Sequence, residues 1–228
     1  KNAPLGFANM EVMNAQKGAL LSGYPSICTS ELKMLLLKLN PWAKEVILTC
    51  SGLEAKEIAN KLCPGKKIAD RTGSNILIEH STTCDAAVYG ESMANGASIG
   101  AVLLNEETAF NTANISAFPS AVSVKAALVT LNMINTSELK NRIDTIIKRV
   151  RGIWQAAAAE SGLDIKINTA SPFPEFSFDD DVKRSAYCSQ MKIEGFIADT
   201  IFYPSYAHTD QILDRFEKTV KRVFKSIS

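Results

Sequence analysis

The residues of this chain that could do chemistry fall in two short stretches and one isolated position. Thr49-Cys50-Ser51-Gly52-Leu53 joins the apolar run Val46 to Leu48 to a helical stretch that extends to Cys63. Free N–H groups at such a helix start form an anion site, and Gly52 lets a phosphate approach the main chain. The second stretch, Gly90-Glu91-Ser92, follows the apolar run Ala86 to Tyr89 and presents a carboxylate that could act as a general base. His80 ends the run Asn75 to Glu79, and its neutral imidazole could accept a hydrogen bond. Each also has a plain structural reading: a strand-to-helix turn that binds nothing, and a strand-end histidine with ordinary partners.

The elements that must hold these residues can be read in order. Asn9 can cap a helix carrying Val12, Ala15, Ala19 and Leu20 on one face. Thr29 or Ser30 is expected to cap a second helix, with Leu32, Leu35, Leu36 and Leu39 as its buried stripe, stopped by Asn40-Pro41. Strands are expected near 45–50, 67–69, 75–79, 86–89 and 99–104. Helices follow from Ser120 to about Asn135 and from Ser137 to about Ser161; Ile143, Ile146, Ile147, Val150 and Trp154 of the latter read as core. Beyond Gly162, strands are expected at 165–168, 175–178 and 196–201, with helices from Asp181 to Gly195 and from Thr209 to Ile227. The last helix has Asp210, Asp214 and Glu217 early and Lys218, Lys221, Arg222 and Lys225 late, an order that suits the helix macrodipole.

The bulk composition excludes more than it selects. The chain has 228 residues, 46% of them hydrophobic and 21% charged, as in an ordinary globular protein. A net charge of +1 gives no reason to expect a nucleic acid or an acidic membrane surface as partner. Its apolar runs are too short to span a bilayer, and no signal peptide is visible. Five cysteines without a CxxC pair argue for reduced thiols and a cytoplasmic location. A zinc site from His80, Cys84 and Cys50 or Cys63 would lack recognised ligand spacing, so no metal is expected.

Asp85-Ala86-Ala87-Val88-Tyr89-Gly90-Glu91 with Ala94-Asn95-Gly96 resembles the segment that carries the Schiff-base lysine in class III, fold type I, pyridoxal-phosphate (PLP) aminotransferases, the group that includes glutamate-1-semialdehyde aminomutase. Pro41 to Ala55 is similar to the family's strand, Ser-Gly turn and helix. Pro64 to Ala69 matches the turn and strand that follow, and Tyr203-Pro204-Ser205-Tyr206-Ala207-His208-Thr209 matches the approach to its last helix. The resemblance covers nearly the whole chain, interrupted by a large deletion between about Asp70 and Asn75 and a second near Thr82. It implies an α/β fold: a reduced remnant of the large PLP-transferase domain (1–118) and a C-terminal α+β small domain (119–228).

The same resemblance implies losses. Glu91 stands at the lysine, His80 at the aspartate that pairs with the pyridine nitrogen, Leu53 at a hydroxyl residue beside the phosphate, and Ala117 at a phosphate-binding threonine. A carboxylate cannot condense with an aldehyde, and Lys44, Lys67 and Lys125 have no context that selects one as a substitute. The leading expectation is therefore a catalytically inactive homologue with no cofactor, kept as a binding or assembly protein and forming a homodimer. A PLP-dependent aminotransferase or aminomutase acting on a small amino or keto metabolite is the alternative. The third reading is a module that binds a phosphate-bearing metabolite through residual contacts at Ser51, Gly52 and Leu53.

Overall fold

A computed structural model describes residues 3–6, 8–22, 26–72, 84–109, 117–171 and 173–228. His80, the expected strand 75–79 and the interruption near Thr82 lie outside the described residues, as do the residues just after Thr72. The chain divides into two compact units, 1–136 and 137–228. This division differs from one at 118/119 by helix α4 (Ala121–Ile134), which packs against elements of the first unit. The reason is its composition: Val124, Ala126, Ala127 and Leu131 are almost fully buried and need an apolar neighbour.

In the first unit, α1 (Met10–Ser22) starts where Asn9 Oδ1 accepts the N–H groups of Glu11 and Val12, the expected cap. Helix α2 (Ser26–Leu39) begins one turn before Thr29 and Ser30, so neither caps it. Cys28 is buried and extends the stripe of Leu32, Leu36 and Leu39 upstream, which favours the longer helix. Strands β1 (Glu45–Thr49), β2 (Ile68–Arg71), β3 (Ala86–Tyr89) and β4 (Gly100–Leu104) form one sheet in the order β1-β4-β3-β2. Helix α3 (Gly52–Leu62) covers one face, where Ala55, Ala59 and the capping Cys63 pack with Ile47, Ala86, Val88, Val102 and Leu104. β3 and β4 are buried at every position, so they read as continuous apolar runs without alternation.

Register is what builds the site. β4 is antiparallel to both β1 and β3, pairing Thr49 with Gly100 and Tyr89 with Ala101, while β2 runs parallel to β3 with Arg71 opposite Tyr89. The ends of β1, β2 and β3 and the start of β4 therefore meet at one edge of the sheet. Thr72 directly follows β2, and Ser51, Glu91 and Ser98 each lie two residues from the end of β1, the end of β3 and the start of β4.

The second unit holds α5 (Ser137–Ser161), a hairpin of β5 (Ile165–Ile167) and β6 (Phe176–Phe178), α6 (Asp181–Ile193) and α7 (Asp210–Ile227). Its core joins Ile146, Val150 and Trp154 of α5 to Phe176, Tyr187, Phe216, Val220 and Phe224. α6 ends in a Schellman motif: Phe196 N–H donates to Met191 O, Gly195 N–H to Lys192 O, and Gly195 has φ 85°. The expected strand 196–201 is not one. Only a single bridge, Glu175 to Ile201, forms there. Asp199 accounts for this: its carboxylate takes the Thr200 N–H at 2.7 Å and pairs with Arg184 at 3.1 Å, bending the chain away from a regular ladder.

Thr209 caps α7, and Arg142 and Arg149 of α5 reach Asp210, with Arg149 also on Asp214. The acidic start of α7 is thus held by cations of its own unit. His208 is half-buried, and its Nδ1 accepts the Ser205 N–H at 2.9 Å. Burial, followed by the positive charge of Arg142, lowers its pKa. A lowered value means the unfolded chain takes up the proton first, so this contribution is complete above about pH 6.5 and is lost as pH falls below it. Melting followed from about pH 7.5 to about pH 5.5 is expected to show a smaller decline for His208→Asn, whose amide oxygen can still take the Ser205 N–H, than for the native chain.

Candidate functional site

The start of α3 is built from local rules. Ser51 is extended (φ −157°, ψ 162°), and its Oγ accepts the Glu54 N–H at 3.2 Å. Glu54 reaches back to the Cys50 N–H at 2.7 Å, a capping box shifted by one residue. Ala55 N–H donates to Ser51 O. The turn is fastened to the neighbouring strand, with Ser98 Oγ donating to Cys50 O and Thr49 Oγ1 to Ser51 O, each at 2.7 Å.

The remaining contact decides the character of the site. Gly52 N–H donates to Glu91 Oε1 at 3.1 Å. Glu91 opens a 3₁₀ turn (Glu91–Ala94) whose Ser92, Met93 and Ala94 are buried, and Gly96 N–H closes it on Glu91 O at 2.8 Å. The carboxylate therefore comes from a fixed backbone and is satisfied by the positive end of a helix.

Two further groups hold this arrangement. Asp70 accepts from Thr72 N–H at 3.0 Å and Thr72 Oγ1 at 2.7 Å, and Lys56 of α3 reaches it at 2.7 Å. Burial opposes it, yet these hydrogen bonds and the Lys56 charge keep the Asp70 carboxyl below its ordinary value. Asn95, left-handed at φ 52°, accepts the Leu5 N–H at 3.0 Å and donates to Gly6 O at 2.9 Å. Asn95→Ala removes both bonds and puts a non-preferred residue in that conformation, for about 2–3 kcal/mol in all. Asn95→Gly keeps the conformation and should lose less; denaturant unfolding of the two variants checks the difference.

Of the residues singled out in the sequence, Ser51, Gly52 and Glu91 come together. The Leu53 side chain is largely exposed and adds no polar contact. Ala117 is half-buried, and the next residue, Phe118, offers its carbonyl to the Cys50 thiol at 3.3 Å. Lys67 donates its backbone N–H to Asp85, and Lys125 is raised by a bond with the Cys28 thiol. Lys56, Asp70 and Asn95 were not foreseen, although Asp70-Arg71-Thr72 has the local pattern of a side chain bonding the backbone two residues on. Among the described residues, no group of three or more His, Cys, Asp or Glu is arranged to hold a metal, and no helix is long and apolar enough to cross a membrane.

No family model matches the sequence, and no curated protein does. Solved structures do. A transaminase with PLP bound superposes at TM-score 0.87 with 14% identity, covering 99% of this chain and 84% of its own. The internal aldimine form of the FumI protein of a Sphingopyxis species gives 0.81 at 16%, covering 99% and 82%. N-acetylornithine aminotransferase of Stenotrophomonas maltophilia gives 0.78 at 14%, covering 96% and 86%. This is the aminotransferase fold. The expected architecture, an α/β remnant followed by an α+β unit, agrees with superpositions that extend over almost the whole chain. Within that fold, the Gly52 N–H at the α3 start is taken by the Glu91 carboxylate. A phosphate about 4 Å from the Glu91 carboxylate would meet a repulsion of about 1 kcal/mol per unit charge in water and about 4 kcal/mol in a half-buried setting.

Proposed function

We propose that this chain is a degenerate aminotransferase homologue without turnover, retained as a binding or assembly protein and acting as a cytoplasmic homodimer. The observation that carries the reading is the Glu91 carboxylate on the Gly52 N–H at 3.1 Å. At the position where the resemblance expects an amine, the chain offers a group that cannot condense with an aldehyde. It also directs that group at a helix-terminal donor an anion would need. Leu53, in place of a hydroxyl residue, supports the same conclusion, as does Ala117. Exposed Met10, Leu20, Met34, Leu53 and Phe118 on the first unit are consistent with a protein that associates.

Adding PLP to the purified chain tests the proposal. After excess PLP is removed by gel filtration, no internal-aldimine band is expected to remain, and borohydride should fix no stoichiometric pyridoxyl group to any one lysine. Glu91→Lys is expected to give no band either, since its ammonium would face the positive end of α3 and the polar side chains at Leu53 and Ala117 would still be missing. A band in the unsubstituted chain that borohydride fixes to a lysine overturns the reading in favour of a working PLP enzyme.

A further inference from the structure

The contact between Glu91 and α3 does more than signal a lost amine. Helix termini leave four N–H groups without a helical partner, and here two of them are taken by side chains of the chain itself: Gly52 on Glu91 and Glu54 on Ser51 Oγ. The space around Gly52 is equally taken. A Cβ placed there would lie 3.1 Å from Gly90 Cα, 3.2 Å from Thr72 Cγ2 and 3.3 Å from Glu91 Oε2. Two chain segments, Thr72 and Gly90-Glu91, thus converge on one glycine. Thr72 is pinned by Asp70, and Asp70 is pinned by Lys56 from α3 itself, so the contacts form a closed ring.

We propose that Glu91 is the resident anion of the α3 terminus, a tethered carboxylate in the place of a bound phosphate, which locks the β3 turn onto α3 and closes the site to free phosphate. The charge is suited to the task, since an anion at a helix start is stabilising and this one is supplied at fixed concentration by the fold. The closure is steric as well as electrostatic, because Thr72, Gly90 and Glu91 crowd Gly52 so closely that a methyl group there would fit only if they gave way. Glu91 is therefore a specificity-determining residue that acts by exclusion. The proposal deepens the function argued above and rests on its reading of Gly52 as an anion donor.

Thermal melts of the native chain, Glu91→Gln and Glu91→Ala test it, with and without about 10 mM inorganic phosphate at constant ionic strength. The native chain should not respond to phosphate. Glu91→Ala should melt about 2–4 °C lower and recover part of the loss in phosphate, as expected for about 1 kcal/mol in a chain of this size. Glu91→Gln keeps the shape without the charge and should fall between the two. Broadening of the phosphorus NMR line of inorganic phosphate by the variants, and not by the native chain, gives a readout that survives marginal stability. Protection of the native chain by phosphate overturns the proposal; so does a failure of both variants to bind it, or variants that melt at the native temperature. None of these outcomes depends on an adduct with PLP, so this proposal and the inactive reading can fail separately.

Discussion

Gly100→Ala is expected to lower the melting temperature by about 6–12 °C, corresponding to about 3 kcal/mol for a chain of this length. The added methyl would lie 2.2 Å from Ser51 O and 2.4 Å from Thr49 Oγ1. Neither atom is the loose end of a flexible side chain. Ser51 O already accepts the Thr49 hydroxyl and the first helical N–H of Ala55, and Gly100 itself pairs with Thr49 across the sheet. Relief therefore requires the whole turn to move, taking the α3 start away from Glu91. Gly152 provides the internal control, being an exposed helical glycine with no atom within 4 Å of an added methyl. Its replacement by alanine should raise the melting temperature slightly, through lower backbone freedom in the unfolded chain. Calorimetry of the pair measures both signs in one experiment.

Phe176→Ala is expected to destabilise the second unit by about 3–5 kcal/mol, the range for deleting a buried aromatic ring. Phe176 is buried at the centre of an aromatic cluster, with ring centroids 4.7 Å from Trp154, 5.0 Å from Phe178, 5.5 Å from Tyr187 and 5.9 Å from Phe224. Those partners come from α5, β6, α6 and α7, so one cavity would face every layer of the unit. Tyr187, pushed upward in pKa by its burial, and Trp154 are fully buried themselves and would line the cavity. Loss of near-ultraviolet circular dichroism ahead of the far-ultraviolet signal during urea unfolding would show loosened packing preceding loss of helix.

Most elements of this fold were legible because their signals are local. Asn9, Ser51 and Thr209 each carry a side-chain oxygen before a helical run, and each accepts the N–H that a cap should. Gly195 marked the end of α6 for the same reason. The stretch 196–201 misled because its apolar residues have the composition of a strand. Its backbone is governed by the Asp199 carboxylate, which composition does not reveal. The site was half legible. The types of Ser51, Gly52 and Glu91 suggested an anion donor and a carboxylate. Their contact spans 39 positions in sequence and exists only because the sheet order places the ends of β1 and β3 on either side of the start of β4. The ion pair of Lys56 with Asp70 was hidden in the same way, since no local spacing connects a helix to the far edge strand.

Asn95 carries a consequence for how the first unit comes together. Its partner Leu5 lies 90 positions away in sequence, so their bond encloses α1, α2, α3 and the strands β1, β2 and β3 in a single loop, with β4 just beyond it. Closing so long a loop is entropically unfavourable until the intervening elements have docked, which places this bond among the last to form. The Leu5 amide is thus a natural sentinel: the slowness of its hydrogen–deuterium exchange reports both the docking of the enclosed elements and the integrity of the turn that Asn95 shares with Glu91.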